Sequence, residues 1–327
     1  CIVKDNQGTL WLGTYFGGVN YFNPEYEIYT RYSYSSNEKQ GLSNPVVGRT
    51  IEDKNGNLWI GTEGGGLNYF NRRTREFKWY RPQEGRNSIS HNNVKALYYD
   101  ADKEIIWIGT HLGGLNRLDI RSGHFTHYRM EDNNRQTLPS DIVRDIIPYK
   151  DLLIVATQNG VCLFDPDSGK CRQLFKDSKE GKSIKMVADI LLDSEGTLWI
   201  AATGEGVFSY RFDTRKLTNY RHDSANPNSL SNNNVNNIMQ DSQGHLWFST
   251  SGSGLDLYHP ANNDFENFDK EKNGLASDCV YETQESAASG KLLLITNQGF
   301  SIFDYQNMHI KNYSAENGFP LTAVNEN

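Results

Sequence analysis

Short apolar or aromatic runs alternate with polar, glycine-containing turns along the whole chain. In one representative stretch the apolar runs occupy residues 47–53, 58–62, 67–70 and 76–80. Such runs, each bounded by turn residues, predict short β-strands joined in antiparallel order. None of these units contains a stretch of ten or more residues with helical periodicity, so the pattern disfavours a helical repeat protein.

This four-strand unit recurs about every 47 residues, and each copy has a bulky apolar residue at the same place in its second run. The successive steps between these anchors are 48, 48, 47, 45, 48 and 46 residues. A repeat of this length, with four strands per unit, predicts a β-propeller. The seven anchors are Trp11, Trp59, Trp107, Ile154, Trp199, Trp247 and Leu293.

The repeat count predicts one all-β domain over residues 1–327, a β-propeller of seven four-stranded antiparallel blades. Residues 1–5 match 49–53, and residues 318–324 match 41–47, so the chain starts and stops inside repeats. We therefore expect a fragment of a longer protein. Either its last residues complete the first blade, or they open an eighth.

Two recurring features of the unit have structural explanations. An Asp-x-x-Gly sequence, as at Asp53 and Asp193, predicts a tight turn in which the carboxylate caps its own backbone. A calcium loop would need further carboxylates at alternating positions, which these segments lack. The anchors are expected to be core residues, because Ile154 and Leu293 replace tryptophan there.

Composition excludes several classes of function. The formal charge is −7 and no stretch forms a basic stripe, so nucleic acid is not an expected partner. The longest apolar runs, such as 152–156, are too short to cross a bilayer, so no membrane contact is expected. Cys162 and Cys171 flank a predicted turn and are expected to face each other across a hairpin, where a bridge would require an oxidising compartment. His124 and His127 lie on opposite faces of a predicted strand, which argues against a shared metal.

One motif points to a known family. Residues 56–70 read Gly-x-Leu-Trp-Ile-Gly-Thr-x-x-Gly-Gly-Leu-Asn-x-Phe, with Phe77 and Tyr80 following, and residues 229–235 read Ser-Leu-Ser-x-Asn-x-Val. This pattern resembles the two-component regulator propeller repeat over essentially the full chain. The copies around Ile154 and Leu293 depart from it, since they lack the tryptophan and one glycine.

The resemblance implies an extracytoplasmic sensor region of a hybrid two-component system protein. Such proteins have two propellers, an immunoglobulin-like module, a membrane helix, a histidine kinase and a response regulator. They sense oligosaccharides in saccharolytic gut bacteria and are thought to signal as dimers. The implied location is periplasmic, the implied partners are an oligosaccharide, the rest of the sensor chain and a second copy, and this fragment itself is not expected to be an enzyme.

Candidate ligand-binding residues come from two sets of positions that should lie at one end of the propeller. Within each unit the corner after the second strand varies while its glycines persist, as expected of a scaffold that presents different side chains. The corner residues are Tyr15, Phe16, Glu63, His111, Gln158 and Glu205. Polar residues also recur near the start of the first strand of each unit. These are Arg49, Lys95, Arg144, Asp189, Asn237 and Glu282.

Aromatic rings, amides and charges together suit sugar recognition. Acidic sugars would favour Arg49, Lys95 and Arg144, and the residues do not choose between acidic and neutral ligands. The alternative for any one position is a solvated loop tip or a charge paired within the protein. No catalytic residue, cofactor or metal is predicted.

Two further functions stay open. The first is a propeller enzyme, such as a polysaccharide lyase or a lyase of the streptogramin type, for which His111 and Glu205 would be the best acid–base pair. The second is a protein-binding or dimerisation scaffold without a small ligand.

Overall fold

The computed structural model describes residues 2–4, 10–13, 19–22, 32–286 and 290–314, and these form antiparallel sheets throughout. Six sheets have four strands each, paired in chain order, and we number them blades 1 to 6. Blade 1 contains β4 (Val47–Glu52), β5 (Leu58–Thr62), β6 (Gly66–Asn71) and β7 (Glu76–Tyr80). Blade 2 contains β8 (Val94–Asp100), β9 (Ile105–Thr110), β10 (Leu115–Asp119) and β11 (His124–Tyr128). Blade 3 contains β12 (Val143–Tyr149), β13 (Leu152–Thr157), β14 (Gly160–Asp165) and β15 (Lys170–Gln173).

The remaining blades repeat this order. Blade 4 contains β16 (Val187–Leu192), β17 (Thr197–Ala202), β18 (Gly206–Arg211) and β19 (Lys216–Tyr220). Blade 5 contains β20 (Val235–Gln240), β21 (Leu246–Thr250), β22 (Leu255–His259) and β23 (Asp264–Phe268). Blade 6 contains β24 (Val280–Glu285), β25 (Lys291–Thr296), β26 (Gly299–Asp304) and β27 (His309–Tyr313). Two 3-10 turns (Glu38–Gln40 and Glu180–Ser183) and one short helix, α1 (Lys270–Asn273), lie between blades.

The number of blades corrects the sequence prediction. In the described part of the chain the propeller has six four-stranded blades, so the expectation of seven, or of eight, is wrong. The unit around Trp11 instead forms a three-stranded sheet of β1 (Ile2–Lys4), β2 (Leu10–Gly13) and β3 (Val19–Phe22). The seven anchors mark seven repeats in the sequence, but a blade needs four paired strands. The unit around Trp11 has an anchor and three paired strands, so it is counted as a repeat and not as a blade. That all 327 residues form one domain stays a prediction.

The core lies between successive blades, because each blade covers the apolar face of the next. Trp59 packs on Val94 of blade 2, Trp199 packs on Val235 of blade 5, and Ile154 lies in the cluster shared by blades 3 and 4. Trp59, Trp107, Trp199 and Trp247 are at most 3% exposed, which confirms that these anchors are core residues.

The Asp-x-x-Gly turns fix these tryptophans from one side. Asp193 accepts the backbone N–H groups of Glu195 and Thr197 through Oδ1, as predicted, at 3.0 and 2.8 Å. Its Oδ2 also accepts the Trp199 indole N–H at 2.8 Å. Asp241 and Trp247 repeat this bond at 3.0 Å. The turn therefore also satisfies the one polar atom of a buried indole.

The cysteine geometry agrees with the hairpin prediction. Cys162 in β14 and Cys171 in β15 are both buried thiols, and their sulfur atoms lie 3.3 Å apart. Burial raises the pKa of Cys162 well above its usual value. The sequence left open whether the two are bridged, and in the structure both are free thiols.

Candidate ligand site at the mouth of the channel

The first strands of blades 1 to 6 line the centre of the propeller, and the corners and inter-blade links lie together at one end of it. The backbone N–H groups of Glu63, His111 and Gln158 donate to the carbonyls of Val46, Asn93 and Ile142, each at 3.0 Å. These bonds join each corner to the link that precedes the first strand of the same blade. The predicted placement of corners and links at one end is therefore correct.

A β-bulge near the start of each first strand turns one residue out of the ladder. In blade 2, Val94 pairs with Thr110 and Ala96 pairs with Gly109, so Lys95 is the extra residue. The same shift occurs at the matching position of all six blades. A bulged residue is free of the ladder and can be directed elsewhere. In blades 3 to 6 the extra residues are Arg144, Ala188, Asn236 and Tyr281.

These residues surround a cavity of about 890 Å³ at the mouth, to which all six blades contribute. Its wall combines three kinds of side chain. The exposed apolar groups are Val46, Val47, Met186 and Ile295, the amides are Asn234, Asn236 and Asn237, and the charged groups are Lys95, Arg144, Arg49 and Glu282.

Below the mouth, polar side chains fasten consecutive blades to one another. Asp145 accepts the backbone N–H of Ile190 at 3.2 Å, and Asp189 accepts that of Ile238 at 2.8 Å. Asn237 accepts the N–H of Thr283 at 3.0 Å and donates to Asp189 at 3.0 Å. Each bond satisfies an N–H on the inner edge of a sheet, where no further strand can pair with it.

Arg49 crosses the channel from blade 1. Its guanidinium lies 2.5 Å from Asp189 of blade 4 and 3.4 Å from Glu282 of blade 6. Asp189, with Asp145 and Glu282, raises the pKa of Arg49, whereas burial raises the pKa of Asp189 to about 7 despite the arginine. The polar atoms of Arg49, Asp189 and Asn237 are thus engaged within the protein, a use that the sequence pattern did not distinguish from ligand binding.

The predicted corner residues do not converge on one point. Glu63 lies against the Lys95 ammonium, and Glu205 pairs with Arg221. Gln158 is half-buried and lies outside the wall of the mouth cavity. No described hydrogen bond joins His111 to Glu205, so the proposed acid–base pair is not assembled. Tyr15 and Phe16 lie outside the described residues.

His111 instead lies among cations. Its Nδ1 atom is buried and has no hydrogen-bond partner in the described structure. Burial lowers the pKa of His111, and Arg144, Lys95 and His91 lower it further. The Arg144 Nε atom is likewise buried and unpartnered. Burial lowers the pKa of Arg144, and burial together with Arg144 lowers that of Lys95 even though Glu63 lies against its ammonium.

Sequence reasoning missed several residues of the cavity wall, among them Asn236, Tyr281, Met186 and Ile295. A signal for the first two was present, because each follows the valine that begins its first strand, as Lys95 and Arg144 do in blades 2 and 3. Met186 and Ile295 carry no such signal, since an isolated apolar residue beside a strand end reads as core.

The described residues lack two features that other functions would require. They contain no group of three or more His, Cys, Asp or Glu side chains arranged to hold a metal ion. They also contain no helix long and apolar enough to span a membrane.

The fold is that of a β-propeller, and the comparisons with known proteins identify its repeats. Residues 1–16, 41–64, 88–111 and 229–252 match the family described as two component regulator propeller, which confirms the resemblance inferred from the sequence. No curated protein sequence matches the chain.

Solved structures support the same class. The extracellular domain of BT3049 from B. thetaiotaomicron, assigned to a hybrid two component system, is 27% identical with a TM-score of 0.76, and the match covers 99% of this chain and 41% of that one. The extracellular domain of BT4673 from B. thetaiotaomicron, assigned to a one component system, is 21% identical with a TM-score of 0.67, over 95% of this chain and 41% of that one. At that identity the second shows the fold alone.

The chain therefore spans about 41% of the length of these structures. The BT3049 structure is an extracellular domain, which agrees with the expected location outside the cytoplasm. The relationship to a two-component system domain indicates a sensor role.

Proposed function

We propose that this chain is the ligand-binding part of a non-enzymatic sensor, and that it binds an oligosaccharide in the cavity at the channel mouth. The observation that carries the proposal is one cavity of about 890 Å³ walled by residues from all six blades. Its volume lies in the range of small-ligand sites, which is about 300–1,000 Å³.

The wall suits a sugar in its chemistry. Exposed apolar side chains such as Met186 and Ile295 can cover the flat faces of pyranose rings. Amides such as Asn234 can exchange hydrogen bonds with hydroxyl groups, since an amide both donates and accepts. A few fixed polar groups within an otherwise apolar wall give such sites their specificity.

The position of the cavity gives a route for the signal. A ligand that touches residues of several blades changes the balance of contacts between those blades, which are already fastened through Asp145, Asp189 and Asn237. In the proposal, this change passes to the rest of a longer sensor chain. Its partners there are a second propeller, an immunoglobulin-like module, a histidine kinase outside this fragment, and a second copy in a dimer.

A calorimetric screen of the purified protein against plant and host oligosaccharides tests the proposal. Ala188→Trp places a large ring in the cavity wall at the blade 4 bulge and is expected to abolish binding. Ala225→Trp is the matched control, because it makes the same change at an exposed link residue. It should leave the affinity unchanged.

Two results would contradict the proposal. Absence of heat with every sugar would count against oligosaccharide binding, and equal affinity in wild type and Ala188→Trp would count against this cavity. Mass spectrometry of the recovered sugar checks the non-enzymatic part, and the sugar is expected to be unchanged. Cleavage that is lost in His111→Ala would favour the lyase alternative.

A further inference from the structure

Four basic side chains lie close together on one side of the mouth, in blades 2 and 3. Lys95 and Arg144 are the bulge residues of these blades, and His91 and His111 come from the link and the corner of blade 2. The two imidazole rings lie 6.4 Å apart. Glu63 is the single carboxylate described in contact with this group, and it faces Lys95. We call these four residues the basic cluster.

Arg144 has no ion-pair partner among the described residues. Its side chain is half-buried, its Nε atom is buried without a hydrogen bond, and it lines the mouth cavity. A partly desolvated charge without a partner is unfavourable unless something neutralises it. The planar fork of a guanidinium fits the two oxygens of an oxyanion.

His111 lies within the field of the same charges. Its buried Nδ1 atom lacks a partner in the described structure, and after burial the charges of Arg144 and Lys95 lower its pKa most. His91 differs, because its Nδ1 accepts the backbone N–H of Asn93 at 3.0 Å. The unsatisfied hydrogen-bonding capacity of the cluster is therefore on Arg144 and His111.

Arg49 is the counterexample on the opposite side of the channel. Asp189 and Glu282 both pair with it, so its charge is neutralised within the protein. Of the three cations that the sequence offered to an acidic ligand, Arg49 and Lys95 are each paired with a carboxylate. Among the described residues only Arg144 lines the cavity without an ion-pair partner.

We infer that the mouth takes an anionic saccharide, whose carboxylate or sulfate oxygens are held by Arg144 with Lys95 and His111 beside it. The inference rests on the proposed function and narrows it, because a neutral sugar would leave this charge unmatched. A uronic acid and a sulfate ester present the same chemistry to a guanidinium, and the experiment distinguishes them.

Calorimetry with two matched pairs of ligands tests the inference. An oligogalacturonate is compared with its methyl ester, which keeps the sugar and removes the charge. A sulfated galactan oligosaccharide is compared with its desulfated form. We expect the charged member of one pair to bind at least about tenfold more tightly than its neutral partner, and that pair identifies the anion.

Two variants locate the effect. Arg144→Gln removes the guanidinium and should lower the affinity for the charged ligand at least about tenfold, leaving that for the neutral ligand within about twofold. Arg172→Gln makes the same substitution on the exposed outer strand of the same blade and should change neither affinity.

An NMR titration of His111 gives a readout that does not depend on sugar binding. Inorganic sulfate bound beside Arg144 should raise the pKa of His111, because the anion offsets the positive charges of Arg144, Lys95 and His91. Glu63, which faces the cluster through Lys95, is present with and without the anion and does not produce the change.

The outcomes separate the two proposals. Equal affinity for charged and neutral ligands, with an unchanged His111 pKa, would overturn the anion site and leave the proposed function standing. No sugar binding, together with a His111 pKa raised by inorganic sulfate, would overturn the proposed function and leave an anion site at Arg144 standing. Retention of the charge preference in Arg144→Gln would overturn the role given to Arg144.

Discussion

One buried position of the repeat has an amide in blades 1 and 2 and a carboxyl group in blade 5. Asn68, Asn116 and Asp256 each lie early in the third strand of a blade and accept a backbone N–H from the serine of the preceding link, at 2.8, 2.8 and 2.9 Å. The repeat motif predicts an amide here, and blade 5 has a carboxylate. Burial raises the pKa of Asp256 to about 6, against the hydrogen bonds from Ser231 and Asn267 that lower it.

We predict that Asp256→Asn changes the pH dependence of stability. The pKa of this carboxyl is higher in the folded protein than its usual value of 3.8. Its contribution to stability is therefore fully present below pH 3.8 and is lost as the pH rises through about 6. Ionisation of wild-type Asp256 should cost on the order of 3 kcal/mol at pH 7. The Asn variant should therefore gain stability relative to wild type between pH 4 and pH 7, as measured by urea denaturation.

The converse substitution in blade 2 is the control for this prediction. Asn116→Asp places a carboxyl in the equivalent fully buried slot, and it should destabilise the protein more at pH 7 than at pH 4. A constant difference between wild type and Asp256→Asn across this pH range would contradict the assignment.

At the scale of strands, the sequence predicted most of what the structure contains. Residues 58–62 and 76–80 are strands with the predicted bounds, and 67–70 extends by one residue at each end to Gly66–Asn71. These strands can be predicted because the alternation of apolar and polar residues, and the turn residues between the runs, are visible within a single segment of the sequence. The bulges at Lys95 and Arg144 could not be predicted in this way, because they arise from the register between two strands.

Two glycines with positive φ, Gly254 at a corner of blade 5 and Gly123 in an outer turn of blade 2, test how closely neighbouring strands must approach. Gly254 has a φ of +81°, and a Cβ atom there would lie 2.0 Å from the carbonyl oxygen of Phe268 in the neighbouring outer strand. Gly123 has a φ of +70° with no atom within 4 Å of such a Cβ. At both positions a residue with a side chain would be held in an unfavourable left-handed conformation. Only at position 254 would its Cβ atom also collide with a neighbouring strand.

We predict that Gly123→Ala costs about 1–2 kcal/mol, the usual strain of a left-handed residue with a side chain. Gly254→Ala should cost about 1–3 kcal/mol more, as expected for overpacking against fixed backbone. Urea denaturation of both variants measures the difference. Equal losses would mean that the corner relaxes and that the close approach of the two strands is not required.

For the whole molecule, the local sequence pattern predicted the propeller class correctly. It did not predict the number of blades or the ion pairs that cross the channel. The anchor at Trp11 counts as a repeat in the sequence but belongs to a three-stranded sheet. The bond from Arg49 to Asp189 joins residues 140 positions apart, and that to Glu282 joins residues 233 apart. No periodicity within one unit specifies such a contact, so the sequence left Arg49 as a ligand candidate.

We predict that Arg49 stabilises the propeller by joining blade 1 to blades 4 and 6. Arg49→Gln leaves Asp189, whose side chain is 4% exposed, without its ion-pair partner. Breaking a fully buried pair costs about 3–5 kcal/mol, and because the Arg49 side chain is 30% exposed we expect roughly 2–3 kcal/mol. Arg72→Gln is the matched control, since its partner Glu52 and Arg72 itself are both more than half exposed, and it should cost under about 1 kcal/mol.

A double-mutant cycle distinguishes this role from ligand binding. Asp189→Asn should cost less in the Arg49→Gln background than in wild type, because the two residues act on one another. If Arg49→Gln instead leaves the free energy of unfolding unchanged and lowers the affinity for an oligosaccharide, the guanidinium serves the ligand rather than the ring of blades. In that case the charge available to an acidic sugar would extend across the whole channel instead of lying beside Arg144.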